Sequence, residues 1–247
     1  MTEDVLIMMV GFIYITEYQD PISDIMWRTA VSIAKKSSDV NLYTLNGCDI
    51  ETLCDEITKD GNVMVYLQVN FNTVCICQAI AKRLKSIDAE LKIVVGYDYV
   101  TYKKEKVLEE CVAFDIAIYG EQEETLEEIC LGVNDADHIK KCKGIIYRTD
   151  DGIICNAKRE LIKDLDKLPY PEHDYKKEKN GMYIIGARGC NGKCSFCNRN
   201  RINGDVKIRA QRFRSINSIV NEMDYVAHKY KCKHITFYDS TFCKGKD

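Results

Sequence analysis

The chain has 247 residues, of which 46% are apolar, and its formal net charge is −3. This length suffices for two domains with real cores, and the near-neutral charge gives no electrostatic reason to expect nucleic-acid binding. No apolar run reaches the roughly 18 residues that a membrane-spanning helix needs. The acidic start, Met1-Thr2-Glu3-Asp4, lacks the basic region of a signal peptide, so we expect a cytoplasmic protein.

Short β-branched apolar runs alternate with stretches of helical spacing over residues 4–130. The predicted strands are residues 5–10, 40–45, 63–69, 91–95 and 115–119. The predicted helices are residues 22–36, 50–59, 73–85, 103–111 and 123–131. Nearly continuous apolar runs are typical of strands that are buried on both faces. Strands that alternate with helices in this way predict parallel crossovers, and hence a doubly wound α/β sheet.

Ligands of such a sheet bind beyond the carboxyl ends of its strands. The loops expected at this edge are Gly11-Phe12, Gln68-Val69-Asn70, Gly96-Tyr97-Asp98 and Gly120-Glu121. A glycine that follows a strand allows positive φ and the close approach of a bulky ligand, but glycine also commonly ends a strand. Both interpretations stay open at this point.

The rest of the chain predicts a hairpin, a linker and the start of a second domain. Two apolar runs within residues 144–157 flank Asp150-Asp151-Gly152, which is a strong hairpin signal. Residues 161–175 hold two of the three prolines and predict a linker. We therefore divide the chain into residues 1–135, 136–175 and 176–247. The last part predicts a strand at 182–187, a basic stretch at 199–214, a helix at 216–230 and a strand at 234–238.

Three cysteines, Cys190, Cys194 and Cys197, have the spacing Cys-x3-Cys-x2-Cys directly after a predicted strand. Thiolates at such short spacings hold iron–sulfur clusters, and three of them leave the fourth iron of a four-iron cluster open. Gly189 and Gly192 allow the loop to bend around a cluster. Its negative charge would be offset by Arg188, Lys193, Arg199 and Arg201.

Three other interpretations of the loop remain. Zinc takes four ligands, and the fourth would be Cys232, Cys243 or His234. A redox pair of Cys194 and Cys197 requires a helix directly after it, and residues 198–204 are a poor helix start. Three buried structural cysteines are the last alternative. The remaining cysteines are predicted to be small buried hydrophobes: Cys48, Cys54, Cys75, Cys77, Cys111, Cys130, Cys142, Cys155, Cys232 and Cys243.

The cysteine loop, with Phe196 before its last cysteine and Arg188-Gly189 before its first, resembles that of the radical S-adenosylmethionine enzymes. Residues 91–128 are similar to the cobalamin-binding domain that precedes the radical domain in one subgroup. Residues 164–171 resemble the linker of that subgroup. Arg212-Phe213-Arg214-Ser215 with Glu222, and residues 235–242, resemble its first barrel helix and second strand. The chain is thus identified as the amino-terminal portion of such a protein. The implied fold is a Rossmann-like cobalamin-binding domain followed by the first β-α-β part of a truncated radical SAM partial TIM barrel.

The resemblance implies a site for each cofactor. Cys190, Cys194 and Cys197 bind a 4Fe-4S cluster, and S-adenosylmethionine chelates its open iron and is cleaved to a 5′-deoxyadenosyl radical. Phe196 lies near the adenine. The residues that face the methionine part are Tyr238, Asp239 and Ser240. The residues implied to bind cobalamin are Gln68, Asn70, Gly96, Tyr97, Gly120 and Glu121.

The chain departs from the family pattern in two places. The family often has Gly-Gly after the fourth strand, whereas this chain has Gly96-Tyr97, and a tyrosine would project where the corrin approaches. The four histidines are His138, His173, His228 and His234. The loop after the first strand therefore has no histidine to serve as the lower axial ligand, so cobalamin would bind without that ligand.

The resemblance implies a methyltransferase that acts on an unactivated carbon of a small-molecule or peptide substrate. Its electrons would come from a reductant such as flavodoxin or ferredoxin. The alternatives are a radical enzyme for cyclisation or rearrangement, and a non-catalytic cofactor-binding or electron-transfer module. A tRNA methylthiotransferase is disfavoured because its cluster cysteines begin near the start of the chain, whereas the first cysteine here is Cys48. One β-α-β unit cannot close a barrel, so we expect an incomplete enzyme with little or no activity alone.

Overall fold

The computed structural model describes residues 8–16, 21–45, 49–172, 181–190, 192, 194–195 and 211–242. The chain forms two compact units. The first comprises Met1–Tyr18 with Ile33–Glu160, and the second comprises Gln19–Ser32 with Leu161–Asp247. None of the helices in the described ranges is long and apolar enough to cross a membrane.

The first unit contains a seven-stranded sheet with the order β2-β1-β3-β4-β5-β6-β7. Its strands are β1 Met8–Ile15, β2 Ser38–Leu45, β3 Met64–Gln68, β4 Lys92–Gly96, β5 Ile116–Ile118, β6 Ile145–Thr149 and β7 Gly152–Cys155. Strands β1 to β5 pair in parallel, and β6 and β7 add an antiparallel hairpin beside β5. The predicted doubly wound α/β sheet is therefore confirmed, and so is the hairpin.

The described helices are α1 Pro21–Ala34, α2 Ile50–Lys59, α3 Val74–Ile87, α4 Asp98–Lys103, α5 Lys106–Glu110, α6 Glu123–Gly132, α7 Ala136–Lys141 and α8 Ile216–Tyr230. The prediction of one helix over residues 103–111 was wrong. Lys104 ends α4 with a φ of 53°, in the left-handed region, so the chain breaks there and restarts as α5.

The first strand also differs from its prediction. It runs to Ile15, so Gly11 and Phe12 lie inside the sheet rather than in a loop at its carboxyl edge. A side-chain carbon on Gly11 would lie 3.1 Å from the ring of Tyr43 and 3.3 Å from the amide of Asn62. Glycine at this position therefore serves packing within the sheet.

The core of the first unit lies between the sheet and its helices. Val65, Leu67, Ile93 and Val95 on the central strands have no exposed surface. They belong to one apolar cluster with the buried side chains of α2 and α3, which are Leu53, Cys54, Ile57, Cys77, Ile80, Ala81 and Leu84. Full burial of one such aliphatic side chain stabilises the fold by roughly 1.5–3 kcal/mol, so this cluster contributes strongly to the stability of the first unit.

The second unit contains two small sheets. Its strands are β8 Met182–Ile184, β9 Ala187–Arg188, β10 Arg212–Phe213 and β11 Ile235–Phe237. β11 pairs in parallel with β8, and α8 connects them through the packing of Val226 and Tyr230 near Met182. The predicted strand over residues 182–187 is divided into β8 and β9 by Ile185 and Gly186, and β9 pairs with β10 instead of continuing beside β11. The predicted helix over residues 216–230 matches α8.

Candidate functional site

The cysteine loop follows β9 through Gly189, whose φ of 84° favours glycine. The sulfur of Cys190 accepts the backbone N–H of Gly192 at 3.3 Å and lies 3.3 Å from the hydroxyl of Thr241. A carbon added to Gly192 would lie 3.2 Å from the sulfur of Cys190 and 3.7 Å from that of Cys194. The two thiols therefore converge on the bare backbone of Gly192.

Several residues predicted for this site lie outside the described residues. They are Cys197, Phe196, Lys193, Arg199 and Arg201. Of the three predicted metal ligands, the structure therefore places Cys190 and Cys194. Thr241 was missed from the sequence, since only the fold brings it to Cys190 across 51 positions.

Asp239 holds the segment that leads into the cysteine loop. Its Oδ1 accepts the backbone N–H groups of Gly186 at 2.8 Å and Ala187 at 2.9 Å. Burial raises the pKa of the Asp239 carboxyl above its ordinary value, although the two backbone donors act in the opposite direction. This carboxylate was predicted to face S-adenosylmethionine, and its described contacts hold the connection between β8 and β9.

The neighbours of Asp239 leave their side chains more accessible. Tyr238 is 38% exposed, and its ring packs edge-on against that of Tyr183, with ring centroids 5.9 Å apart. Ser240 is exposed at the end of the same segment. Both residues are thus accessible to a ligand beyond β11, and their predicted contact with S-adenosylmethionine stays a prediction.

A buried ion pair joins α8 to the connection between β8 and β9. Arg214 bonds the carboxylate of Glu222, which is 1% exposed, and donates to the carbonyl of Ile185 at 3.2 Å. The backbone N–H of Arg214 donates to the carbonyl of Gly186 at 2.9 Å. The side chain of Ser218 accepts a further bond from the guanidinium at 2.9 Å. Arg214 therefore bonds the carbonyls of the connection between β8 and β9, and Asp239 bonds its N–H groups.

The second group of predicted residues lies at the carboxyl ends of β3, β4 and β5, which we call the carboxyl edge. Gln68 ends β3 and is 2% exposed, and Asn70 follows it at 5% exposed. The side-chain oxygen of Asn70 accepts the backbone N–H groups of Asn72 at 2.8 Å and Thr73 at 2.9 Å. Asn70 thus orders the turn that begins α3.

The next loop at the carboxyl edge has an unusual backbone. Tyr97 has φ 92° and ψ −160°, a conformation found almost only for glycine. Its carbonyl accepts the backbone N–H of Thr101 at 3.0 Å and the Thr101 hydroxyl at 2.9 Å. A residue forced into this region costs of order 1–3 kcal/mol, so the surrounding contacts must hold Tyr97 there.

The third loop lies beside the second. Gly120 has φ 86°, and its N–H donates to the Thr101 hydroxyl at 3.0 Å. Thr101 therefore links the loops after β4 and β5. A carbon added to Gly120 would meet no atom within 4 Å, so open space lies above this glycine. Glu121 follows and is half-buried.

A buried pair beneath this edge was missed from the sequence. Tyr66 on β3 is fully buried and donates from its phenol to Oε1 of Gln122 at 2.5 Å. Burial raises the pKa of Tyr66 well above its ordinary value. A carbon added to Gly96 would lie 2.8 Å from Oε1 of Gln122 and 2.9 Å from the Tyr66 hydroxyl. No local signal predicts a pair 56 residues apart, and it explains why position 96 is glycine.

Comparisons with known proteins add to this geometry. No family model matches the chain. Over 174 residues it is 27% identical to an uncharacterized methyltransferase of Pyrococcus horikoshii, covering 68% of this chain and 37% of that protein. Over 143 residues it is 29% identical to the anaerobic magnesium-protoporphyrin IX monomethyl ester cyclase of Cereibacter sphaeroides, covering 52% of this chain and 23% of the cyclase. The chain thus spans well under half the length of these curated relatives.

Solved structures are similar over almost the whole chain. OxsB, a cobalamin-dependent S-adenosylmethionine radical enzyme with aqua-cobalamin bound, gives a TM-score of 0.76 at 20% identity, covering 96% of this chain and 34% of OxsB. The chain has the fold of a cobalamin-dependent radical SAM enzyme. The radical SAM methyltransferase TsrM of Kitasatospora setae, with cobalamin and a 4Fe-4S cluster bound, gives 0.70 at 16% identity, covering 95% of this chain and 48% of TsrM. The resemblance stated from the sequence is thereby confirmed, and at these identities it establishes the fold.

Proposed function

We propose that this chain is the cofactor-binding part of a cobalamin-dependent radical SAM enzyme that transfers a methyl group to an unactivated carbon. The observation that carries the proposal is the convergence of the Cys190 and Cys194 sulfurs on Gly192. In this proposal the chain has three parts, residues 1–135, 136–175 and 176–247. The substrate is a small molecule or a peptide, the reductant is a flavodoxin or ferredoxin, and the protein is cytoplasmic. The full reaction belongs to the proposal, because this chain covers 34% of OxsB and 48% of TsrM.

The cysteine loop fits a 4Fe-4S cluster in its donor chemistry. Two thiols face one bare glycine, so a cluster can approach both sulfurs without meeting a side chain at position 192. Cys190, Cys194 and Cys197 would hold the cluster, and Phe196, Tyr238, Asp239 and Ser240 would lie around S-adenosylmethionine. When bound, these two groups supply the one-electron chemistry that removes a hydrogen atom from a substrate. Asp239, Arg214 and Thr241 orient the loop for this purpose.

The carboxyl edge fits cobalamin in part. Open space lies above Gly120, and Gln68, Asn70 and Glu121 place polar groups around the ends of the strands. Gly96 leaves room for the buried pair of Tyr66 and Gln122 at the end of β4. Tyr97 is the one bulky residue in the predicted set, and its side chain would take up space that the corrin needs. Cobalamin would serve as the methyl carrier between its donor and the substrate.

One experiment tests the cluster. The chain is reconstituted anaerobically with iron and sulfide, S-adenosylmethionine and reductant are added, and 5′-deoxyadenosine is measured. We expect a broad iron–sulfur absorption that Cys190→Ala removes. The matched control is Cys75→Ala, which changes an exposed cysteine on α3. Bound zinc in place of the absorption would refute the cluster.

A second experiment tests cobalamin. Hydroxocobalamin is added to the full chain, which is then desalted. We expect corrin colour to stay with the protein and Tyr97→Gly to retain more of it than the natural sequence. Complete loss of colour from both proteins would show that the first unit does not carry this cofactor.

A radical cyclase is the second candidate, because the chain is 29% identical to the magnesium-protoporphyrin IX monomethyl ester cyclase over 143 residues. Both candidates require the cluster, so 5′-deoxyadenosine does not separate them. Methyl-labelled S-adenosylmethionine does: label transferred to a product supports the methyltransferase, and a cyclised product without label supports the cyclase.

A further inference from the structure

Gln122 at the carboxyl edge has a buried side-chain amide that does not cap its helix. It lies at the N-cap of α6 and is 2% exposed. A polar side chain at an N-cap normally bonds the first free N–H groups of the helix. Gln122 makes no such bond. Its Oε1 accepts instead from Tyr66, and its Nε2 has no hydrogen-bond partner among the described residues.

An unsatisfied amide nitrogen in such a place is costly. Leaving a buried donor without a partner costs about 1–3 kcal/mol, whereas an apolar side chain of similar shape avoids this cost. The orientation of the amide does not remove the problem. If the amide is turned over, Nε2 faces Tyr66 and Oε1 is left without a partner, since the phenol has one oxygen to offer. One half of the carboxamide therefore lacks a partner in either orientation.

The position of this amide is defined by Gly96. Oε1 of Gln122 lies 2.8 Å from the point where a Gly96 side chain would begin, so the amide is directly beside the end of β4. The strained Tyr97 follows Gly96, and the open space above Gly120 lies two residues before Gln122. The unsatisfied group is thus at the carboxyl edge, where a doubly wound sheet binds its ligands.

We propose that Gln122 is a cobalamin-binding residue whose free amide atom hydrogen-bonds a peripheral carboxamide of the corrin ring. A carboxamide carries both a donor and an acceptor, so it matches the amide of Gln122 in either orientation. Tyr66 bonds one atom of the amide at 2.5 Å, and the other amide atom is left for the ligand. This inference rests on the proposed function, and it adds a residue that the resemblance does not assign.

The test measures the dissociation constant of hydroxocobalamin for the full chain by equilibrium dialysis. Gln122→Met keeps the size of the side chain and removes both hydrogen-bonding atoms. We expect its dissociation constant to rise about tenfold, the loss of one hydrogen bond. Tyr66→Phe is the matched control, because it removes the inner bond and leaves the amide in place. We expect it to change the constant less than about threefold.

A second variant separates a lost hydrogen bond from a general loss of fold. Gln122→Glu keeps the oxygen that accepts from Tyr66 and replaces Nε2 by a second acceptor, which the N–H of a corrin carboxamide can still bond. We expect it to bind hydroxocobalamin more tightly than Gln122→Met does. Dicyanocobinamide, which keeps the ring carboxamides and lacks the nucleotide, should show the same loss with Gln122→Met.

The outcomes separate this inference from the proposed function. If the natural chain does not bind hydroxocobalamin, both fail. If it binds and Gln122→Met binds hydroxocobalamin as tightly as the natural chain, the inference alone fails, and Gln122 then has only a structural role with Tyr66. Loss of the effect with dicyanocobinamide also overturns the assignment to the corrin ring.

Discussion

Tyr97 is the residue at which local sequence and fold disagree most. Its φ of 92° and ψ of −160° lie in a region that only glycine enters without cost. In the family that the sequence resembles, glycine is usual at the position of Tyr97. The structure supplies a second reason for glycine, since the backbone itself favours it whatever ligand is bound.

Replacing Tyr97 by glycine should stabilise the first unit. Relief of about 1–3 kcal/mol of strain outweighs the roughly 0.5–1 kcal/mol that glycine costs through the unfolded chain. We expect a net gain of about 1 kcal/mol in the free energy of unfolding, measured by urea denaturation. Tyr97→Ala removes the ring but keeps the strain, so it is the control. Equal stability of the two variants would contradict strain as the cause.

Asp239 should make the stability of the second unit depend on pH. Its pKa is raised by burial, so the folded state favours the protonated carboxyl more than the unfolded state does. The stability it contributes is therefore complete below the ordinary carboxyl pKa of 3.8 and is lost as pH rises through the raised value.

The variant Asp239→Asn cannot ionise and tests this sign. Its free energy of unfolding should rise relative to that of the natural protein between about pH 3 and about pH 7, and the difference should then stay constant. Exposed Asp224→Asn on α8 is the control for general charge effects. A difference that falls with rising pH would show that the backbone donors outweigh burial.

At the scale of elements, α8 shows what a sequence pattern can determine. Its apolar spacing and the N-cap Ser215, whose hydroxyl accepts the N–H of Ser218 at 3.1 Å, are both local. The helix was therefore predicted with the bounds it has. β1 was placed too early because its apolar run contains Gly11, and a glycine inside a strand has the same local signal as one at its end. Only the neighbours Tyr43 and Asn62 distinguish these cases.

The ion pair of Arg214 and Glu222 should be the main polar determinant of how α8 packs. Glu222 is 1% exposed, and Glu222→Gln leaves the buried guanidinium without a countercharge. Loss of one partner of a buried ion pair costs about 3–5 kcal/mol. The amide of Gln keeps part of the hydrogen bonding, so we expect Glu222→Gln to lower the free energy of unfolding by about 2–3 kcal/mol.

The measurement is hydrogen exchange in peptides from α8 and from the connection between β8 and β9. Faster exchange is expected in both segments, because Arg214 also bonds the carbonyl of Ile185. Asp224→Asn on the exposed face of the same helix should leave exchange in both segments unchanged. Faster exchange confined to α8 would show that Arg214 does not support the connection.

At the scale of the whole molecule, the cysteines divide by environment. The prediction of small buried hydrophobes is confirmed for Cys54, Cys77, Cys111, Cys130 and Cys142. It was wrong for Cys75 and Cys155, which are exposed, and for Cys232, which is half-buried. Cys48 and Cys243 lie outside the described residues. Helical spacing places Cys77 on the buried face of α3. Cys75 lies two positions earlier, on the exposed face of the same helix.

This division predicts the alkylation of the native chain by iodoacetamide. Burial raises the pKa of Cys54 to about 11 and those of Cys77 and Cys130 to about 12, so these thiols should stay unlabelled. Cys75 and Cys194 should be labelled quickly. Mass spectrometry of peptides measures each site, and Cys75 against Cys77 is an internal control on one helix.

Cluster assembly should then change only part of this pattern. Anaerobic reconstitution with iron and sulfide is expected to protect Cys190, Cys194 and Cys197 while Cys75 stays reactive. Unchanged labelling of Cys194 after reconstitution would contradict its assignment as a ligand.

The hairpin of β6 and β7 has a consequence for any shortened form of this protein. β5 has only three residues, and β6 covers the backbone groups on its outer side. A chain cut between residues 135 and 144 would leave those N–H and C=O groups bare along the flank of an apolar strand. Exposed strands of this kind pair with other molecules and promote aggregation. A shortened chain that stays in solution should therefore extend past Cys155, the last residue of the hairpin.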